Sequence, residues 1–462
     1  MDLETDEWVV QINEKLKSHE YSSTEIQKWK KHCIYSIPFC VKEGSKNAYN
    51  PQTVSFGPYH YMKKHLVAME EHKQRALVHF LRRCGGKSLE LLLESLAKVK
   101  EDLRDCYKPL DDQWGNNDQS FLKMMILDGC FMLEVLRFAD CYNGGCYAEN
   151  DPIFSCHGKL HIIPYIKRDM VMLENQIPMM VLEKLIEFEG NQAHQDPESL
   201  NKLILKFFCP DTPKLKTFGK CLHILDLYRR CLLQHEPTHP TTIPKQIIKS
   251  NKHNQGDEII IPSARELQEA GITFKPSKTH SLKDVSFNNN SGILRIPSII
   301  VDDSTETEFL NLVAFERMHV GAGNEVSSFV FFMDNIIDNQ SDVGILEQKG
   351  ILQNALGSDK AVAKLFNSLS KDISVDREGG LDIVQVSVCR YCKKPWNKWR
   401  ANLIETYFRN PWAIFSLVAG IFLFVLTIIQ TVCTIIPFYQ HDNSNPSPPP
   451  RTFIPRLPPP RF

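Results

Sequence analysis

The sequence predicts a mainly α-helical protein: a helical cytosolic domain with a small antiparallel β-sheet and one C-terminal transmembrane helix. Three observations predict it. Apolar residues recur at helical spacing through most of the chain, β-branched runs bounded by turn residues are few and short, and one uncharged apolar stretch stands near the C-terminus. The 462 residues suffice for one large domain or two to three ordinary ones, and 42% hydrophobic with 24% charged residues is a globular balance. A formal net charge of −1 provides no global basic excess, which argues against nucleic acid as a partner.

Residues 1–33 read as an N-terminal extension. The opening "MDLETDEWVV" is acidic and has no apolar core of the kind a secretory signal needs, so the main body is expected in the cytosol. Fourteen cysteines in that compartment read as reduced thiols. A globular domain is expected over 34–409. Short strands are predicted at 34–37 and 53–56. In "HLVAMEEHKQRALVHFLRRCGG", Leu66, Met69, Ala76, Leu77, Phe80, Leu81 and Cys84 form one helical stripe, and Gly85-Gly86 supplies a stop. Further helices are predicted near 88–105, 119–140, 160–174, 178–188, 198–208 and 219–234. Two more should begin with capping boxes, Ser263 with Glu266 and Thr305 with Glu308. Between them "ITFK", "DVSF" and "ILRIP" predict a hairpin with a third neighbouring strand, "NNNSG" being the turn. The polar, proline-punctuated run 236–261 predicts a mobile loop.

Residues 412–436 are uncharged over 25 positions, longer than the roughly 20 needed to cross a bilayer. Trp412 at one end, with Phe438 and Tyr439 at the other, suits the two membrane interfaces. Arg390, Lys393, Lys394, Lys398, Arg400 and Arg409 precede the span, whereas only Arg451, Arg456 and Arg461 follow it. The domain should therefore face the cytosol and the Pro-rich tail, 437–462, should lie across the membrane. That is the layout of a single-pass, tail-anchored protein.

Several motifs suggest chemistry and most dissolve on inspection. His235-Glu236-Pro237-Thr238-His239 matches the zinc-protease pattern H-E-x-x-H, which needs both imidazoles on one helical face; Pro237 forbids that helix. "GGKS" at 85–88 follows a helix rather than a strand and reads as a helix stop, not a phosphate loop. Cys141, Cys146, Cys156, His157 and His161 form a Cys/His-rich neighbourhood, and Cys389-x-x-Cys392 stands without a second pair. No metal and no cofactor is expected.

"MLENQIP" at 172–178 interrupts an apolar run with a carboxylate and two amides. Pro178 cannot continue a helix containing Glu174, so one helix should end near Glu174 and another start at Pro178. Glu174, Asn175 and Gln176 would satisfy free backbone groups at the joint, the carboxylate at the positive end of the second helix. On that reading Glu174→Gln costs little, while Glu174→Ala costs about 1–3 kcal/mol. The alternative is an active-site acid, with Glu174, Asp302 and Asp303 the candidate catalytic carboxylates. Against it, Asp302 and Asp303 also read as a solvated turn before a helix.

Seven stretches occur in order: "SFGPYH" (55–60), "MMILDGCFMLEVL" (124–136), "MLENQIP" (172–178), "ARELQEAGITFK" (264–275), "RIPSIIVDDSTETEFLNLVAFE" (295–316), "FMDNIIDNQSDVGILEQKGI" (332–351) and "WNKWRANLIETYFRNPWAIFSLVAG" (396–420). Together they resemble the plant family called domain of unknown function 247, or uncharacterised protein family 0481. The resemblance spans roughly 34–440. One departure is Tyr61-Met62 after "GPYH", where the family often has a glycine. The resemblance implies a single-pass membrane protein without established catalytic residues, and some grass members are linked to pollen–stigma self-incompatibility. It favours recognition of protein partners over catalysis.

Overall fold

The computed structural model describes residues 7–17, 23–115, 117–140, 147–190, 197–210, 217–234, 261–371, 373, 380–394 and 411–441. The H-E-x-x-H match, nearly all of the 236–261 loop, Cys141, Cys146, the basic residues Lys398, Arg400 and Arg409, and the tail beyond His441 lie outside them. The chain forms two compact units, Met1–Lys393 and Lys394–Phe462.

The first unit is mainly helical. Its longest helix, Asp118–Asp140, runs through the core, with Phe121, Met125, Phe131, Met132 and Val135 fully buried. Ala68–Arg83, Leu89–Ala97, Met179–Glu189 and Pro197–Phe208 pack around it. Gly129 is the close-approach point: a Cβ there would lie 2.7 Å from Leu185 and 2.9 Å from Val181. A second group packs Thr305–Met318 against Glu325–Ile336 and Asp359–Leu369, with Gln340–Gln348 alongside. The predicted 88–105 helix is two, Leu89–Ala97 and Lys100–Asp105.

The sheets correct the prediction of an antiparallel one. Among the described residues there are three small sheets. Strand β1 (Ile34–Tyr35) pairs parallel with β2 (Tyr107–Lys108). β3 (Thr273–Pro276) pairs parallel with β5 (Ile293–Ile296), which also pairs antiparallel with β4 (Ser286–Asn288). β6 (Ile299–Val301) pairs parallel with β7 (Leu352–Asn354). Only the β4–β5 hairpin is antiparallel, because it alone is joined by a tight turn; the parallel pairs need longer connections, β3 to β5 by way of β4 and the other two from segments far apart in sequence. Residues 53–56 form no strand.

The Ser263–Glu266 capping box is present. The one expected at Thr305 is not. Ser304 is the N-cap, with its one hydroxyl proton shared between Asp302 and Glu308, while the Thr305 hydroxyl closes the preceding turn onto Asp302. An unpredicted box joins Asn339 to Asp342. The helix expected over 160–174 stops at Asp169, after Ile163–Asp169, and a 3-10 turn, Leu173–Asn175, leads to Pro178 as N-cap of the next helix.

The second unit holds the helix Pro411–His441. Within it Phe415–Ile436, 22 residues with a mean hydropathy of 2.4 and 0% buried, is long and apolar enough to cross a membrane.

Candidate functional site

Residues 51–60 form an irregular, largely buried segment without a strand partner among the described residues, so their N–H groups need other acceptors. Side chains supply them. Asp169 Oδ2 accepts from the N–H groups of Gln52 (3.1 Å), Thr53 (2.6 Å) and Val54 (3.0 Å). Asn175 Oδ1 accepts from Phe56 at 2.7 Å, and Asp128 Oδ2 from Gly57 at 2.8 Å. Gly57 has φ +72°, and a Cβ on it would sit 2.6 Å from the Gln176 carbonyl, so only glycine fits.

The polar trio of "MLENQIP" reaches three ways. Asn175 Nδ2 donates to the Val54 and Asp169 carbonyls, both at 3.0 Å. Gln176 Nε2 donates to Met170 O at 2.6 Å and Met172 O at 2.9 Å, while its Oε1 accepts from Leu225 N–H. Asn311, from a distant helix, accepts from Leu173 N–H at 2.9 Å and donates to Ala48 O at 2.7 Å.

Glu174 turns the other way. Its carboxylate, 2% exposed, meets Lys42 Nζ at 2.6 and 2.7 Å, one contact per oxygen. Oε1 also accepts from Ile37 N–H (2.6 Å) and the Ser36 hydroxyl (3.1 Å), and His60 Nε2 lies 3.2 Å from Oε2. Burial opposes its charge, but the His60 and Lys42 hydrogen bonds, the Lys42 charge and the Ile37 N–H outweigh it and hold the carboxyl at about 2. The expected placement at the positive end of the second helix is corrected: Glu174 serves residues 36–42, where it meets a full lysine charge rather than a partial dipole charge.

His60 links this carboxylate to the surface. Its Nδ1 accepts from Lys63 Nζ at 2.7 Å, which leaves the proton on Nε2, facing Glu174. Burial lowers the pKa of the imidazole, partly offset by the Glu174 bond, so it is neutral. Burial also lowers that of Lys63. Lys63 is placed by a turn closed by its own N–H on His60 O (3.3 Å), with Met62 at φ +57°. Met62 is the one described non-glycine residue with positive φ, and it stands where the resemblance expects a glycine. A cleft of about 480 Å³ opens here, lined by Asn47, Asn50, Pro51, Gln52, His60, Lys63 and His65.

A second buried pair lies nearby. Lys73, 0% exposed, meets Asp128 Oδ1 (2.7 Å), Glu70 (2.6 Å) and Ser55 O (2.7 Å).

Asp302 and Asp303 do not join Glu174. Asp302 Oδ1 accepts from Ser304 N–H, Ser304 Oγ and Thr305 Oγ1 within its own turn, and Asp303 is exposed. No hydrogen bond or ion pair links either to Glu174 among the described residues. Likewise, no group of three His, Cys, Asp or Glu there is arranged to hold a metal; the His157 and His161 rings lie tilted with centroids 4.6 Å apart, and Cys389 and Cys392 are half-buried.

Residues 34–426 match the model of a family described as a plant protein of unknown function, domain of unknown function 247. The chain belongs to this family. Two UPF0481 proteins of Arabidopsis thaliana are similar to it. One is 31% identical over 441 residues, covering 90% of each chain; the other is 25% identical over 515 residues, covering 92% of this chain and 93% of its own. No solved structure matches. Four stretches that carry the resemblance to the domain of unknown function 247 meet at this one buried network: 55–60 through Gly57 and His60, 124–136 through Asp128, 172–178 through Glu174, Asn175 and Gln176, and 295–316 through Asn311.

Proposed function

We propose that this family member is a non-enzymatic, single-pass, tail-anchored membrane component of a plant cell. Its helical domain faces the cytosol and acts in recognition or signalling through protein partners. The observation that carries this reading is the commitment of the carboxylates: Glu174 is occupied by Lys42 on both oxygens and by Ser36 and Ile37 on one, and Asp302 closes its own turn. An acid filled with structural donors has no oxygen left to take a proton from a substrate. Two further features support it. The apolar helix Phe415–Ile436 is entirely exposed, and more positive charges precede it than follow. In helix Glu7–Lys17, Trp8, Val9, Val10, Ile12 and Leu16 present exposed apolar surface of the kind partners cover.

A hydrolase or transferase acting through buried carboxylates is the second reading, and the Lys63–His60–Glu174 line beside a cleft is what favours it. The full-length protein in detergent micelles, assayed on hydrolase and transferase substrate panels, decides between them. No turnover is expected. Reproducible turnover abolished by Glu174→Gln, Asp302→Asn or Asp303→Asn would establish the enzyme. Topology has its own reporter. The Asn289 and Asn339 sequons are exposed and should carry no glycan in the plant cell; a glycan on either reverses the orientation.

A further inference from the structure

The cleft beside His60 displays a lysine with no carboxylate among the residues that line it. We infer that it is a binding site for a small oxyanion, a phosphate monoester group held by the Lys63 ammonium and by amide donors of Asn47 and Gln52. Lys63 has no ion-pair partner among the described residues; its close polar contact is the neutral imidazole of His60. One N–H of the ammonium is spent on that bond, and two remain. The Glu174 charge reaches Lys63, but that acid is buried and paired with Lys42, and no carboxylate lines the cleft itself. A cation in such a recess attracts anions more strongly than a free surface lysine does.

The geometry is built for this placement. Met62 is held in the left-handed region, which a residue with a side chain rarely adopts, and the turn it makes brings Lys63 back onto His60. His60 is buried, with its Nε2 3.2 Å from Glu174, so Lys63 rests on a buried acceptor rather than swinging in solvent. Strain of this kind persists where the surroundings enforce it, often at ligand sites. The lining suits an oxygen-rich ligand: Asn47, Gln52 and His65 stand around Lys63, and Gln52 Nε2 spends one N–H on Asn50 O, keeping another. Donors from several directions match three phosphate oxygens better than the two of a carboxylate. At about 480 Å³ the recess holds a phosphate together with a small attached group.

The test is calorimetric titration of the full-length protein in detergent micelles with inorganic phosphate and with glycerol 3-phosphate. Saturable binding is expected for the native chain, weakened about tenfold or more by Lys63→Met, since a charge-assisted hydrogen bond is lost. Lys64→Met, which alters a neighbouring lysine outside the cleft, should change it less than about twofold. Nanodiscs separate the sources. If the phosphate belongs to a lipid headgroup, discs containing phosphatidic acid arrive with the cleft filled and suppress the titration relative to phosphatidylcholine discs; equal titration assigns a free phosphate ester. Absence of saturable binding to either probe in micelles, or equal weakening by Lys63→Met and Lys64→Met, overturns the proposal.

Discussion

Two buried carboxylates each face a lysine, and they respond in opposite ways. Glu174 is held at about 2, whereas Asp128 is pushed up to about 6. Burial raises both. At Glu174 it is outweighed by the His60 and Lys42 hydrogen bonds, the Lys42 charge and the Ile37 N–H, and no second acid shares the lysine. At Asp128 burial is complete, and its lysine, Lys73, is shared with Glu70, whose like charge raises Asp128 further. The contrast shows that the depth of burial set against the donors reaching the carboxylate, not the mere presence of a salt bridge, sets the direction of the shift, with a second acid on the same lysine adding to it.

The largest expected effect follows from that sharing. Lys73→Met removes the cation from Asp128, Glu70 and the Ser55 carbonyl at once, and should cost about 3–5 kcal/mol in thermal unfolding of the protein in micelles. Adding Asp128→Asn to it should recover part of the loss, because the stranded acid is gone; strict additivity would mean that the two do not interact. Next comes Glu174→Gln, at about 3 kcal/mol near neutral pH, from the difference between 4.5 and about 2. The sequence alone suggests a mild effect here, because it places Glu174 against a helix end; the Lys42 contact changes that. The smallest effect is a gain. Met62→Gly relieves the left-handed backbone and should stabilise by about 0.5–1 kcal/mol, read as a small rise in melting temperature.

Much of the helical framework was legible because its signals are local. The stripe from Met69 to Cys84, the break before Pro178 and the apolar stretch 412–436 each declare themselves within one contiguous segment. The parallel strand pairs were not legible: β1 and β2, or β6 and β7, are joined by tertiary placement, and nothing within "IY" or "IIV" names its partner. At the site, Glu174, Asn175 and Gln176 stood out as polar residues in an apolar run, but their partners beyond the local turn lie 49 to 138 residues away. Lys73 and Asp128 carried a signal that passed unread. Lys73 shares a stripe with Met69, Ala76 and Phe80, and Asp128 sits inside "MMILDGCFML"; charges at such positions on two helices that pack together can pair. His60 and Lys63 had no such mark, since their roles come from the turn at Met62.

The central claim is that Glu174 is a structural carboxylate whose charge holds residues 36–60 to the core. The sign of its pH dependence follows from the depressed value. Its stabilisation is complete above about 4.5 and is lost as pH falls toward about 2. Asp128 acts in the opposite sense: its contribution is present below 3.8 and lost as pH rises through about 6, so it cannot imitate a loss below 3.8. The direct measurement is the unfolding free energy of the native protein and of Glu174→Gln, in micelles, from about pH 7 down to about pH 2. The native advantage over Glu174→Gln should be about 3 kcal/mol at the upper end and should shrink to near zero at the lower end. An advantage independent of pH, or none at neutral pH, would contradict the account.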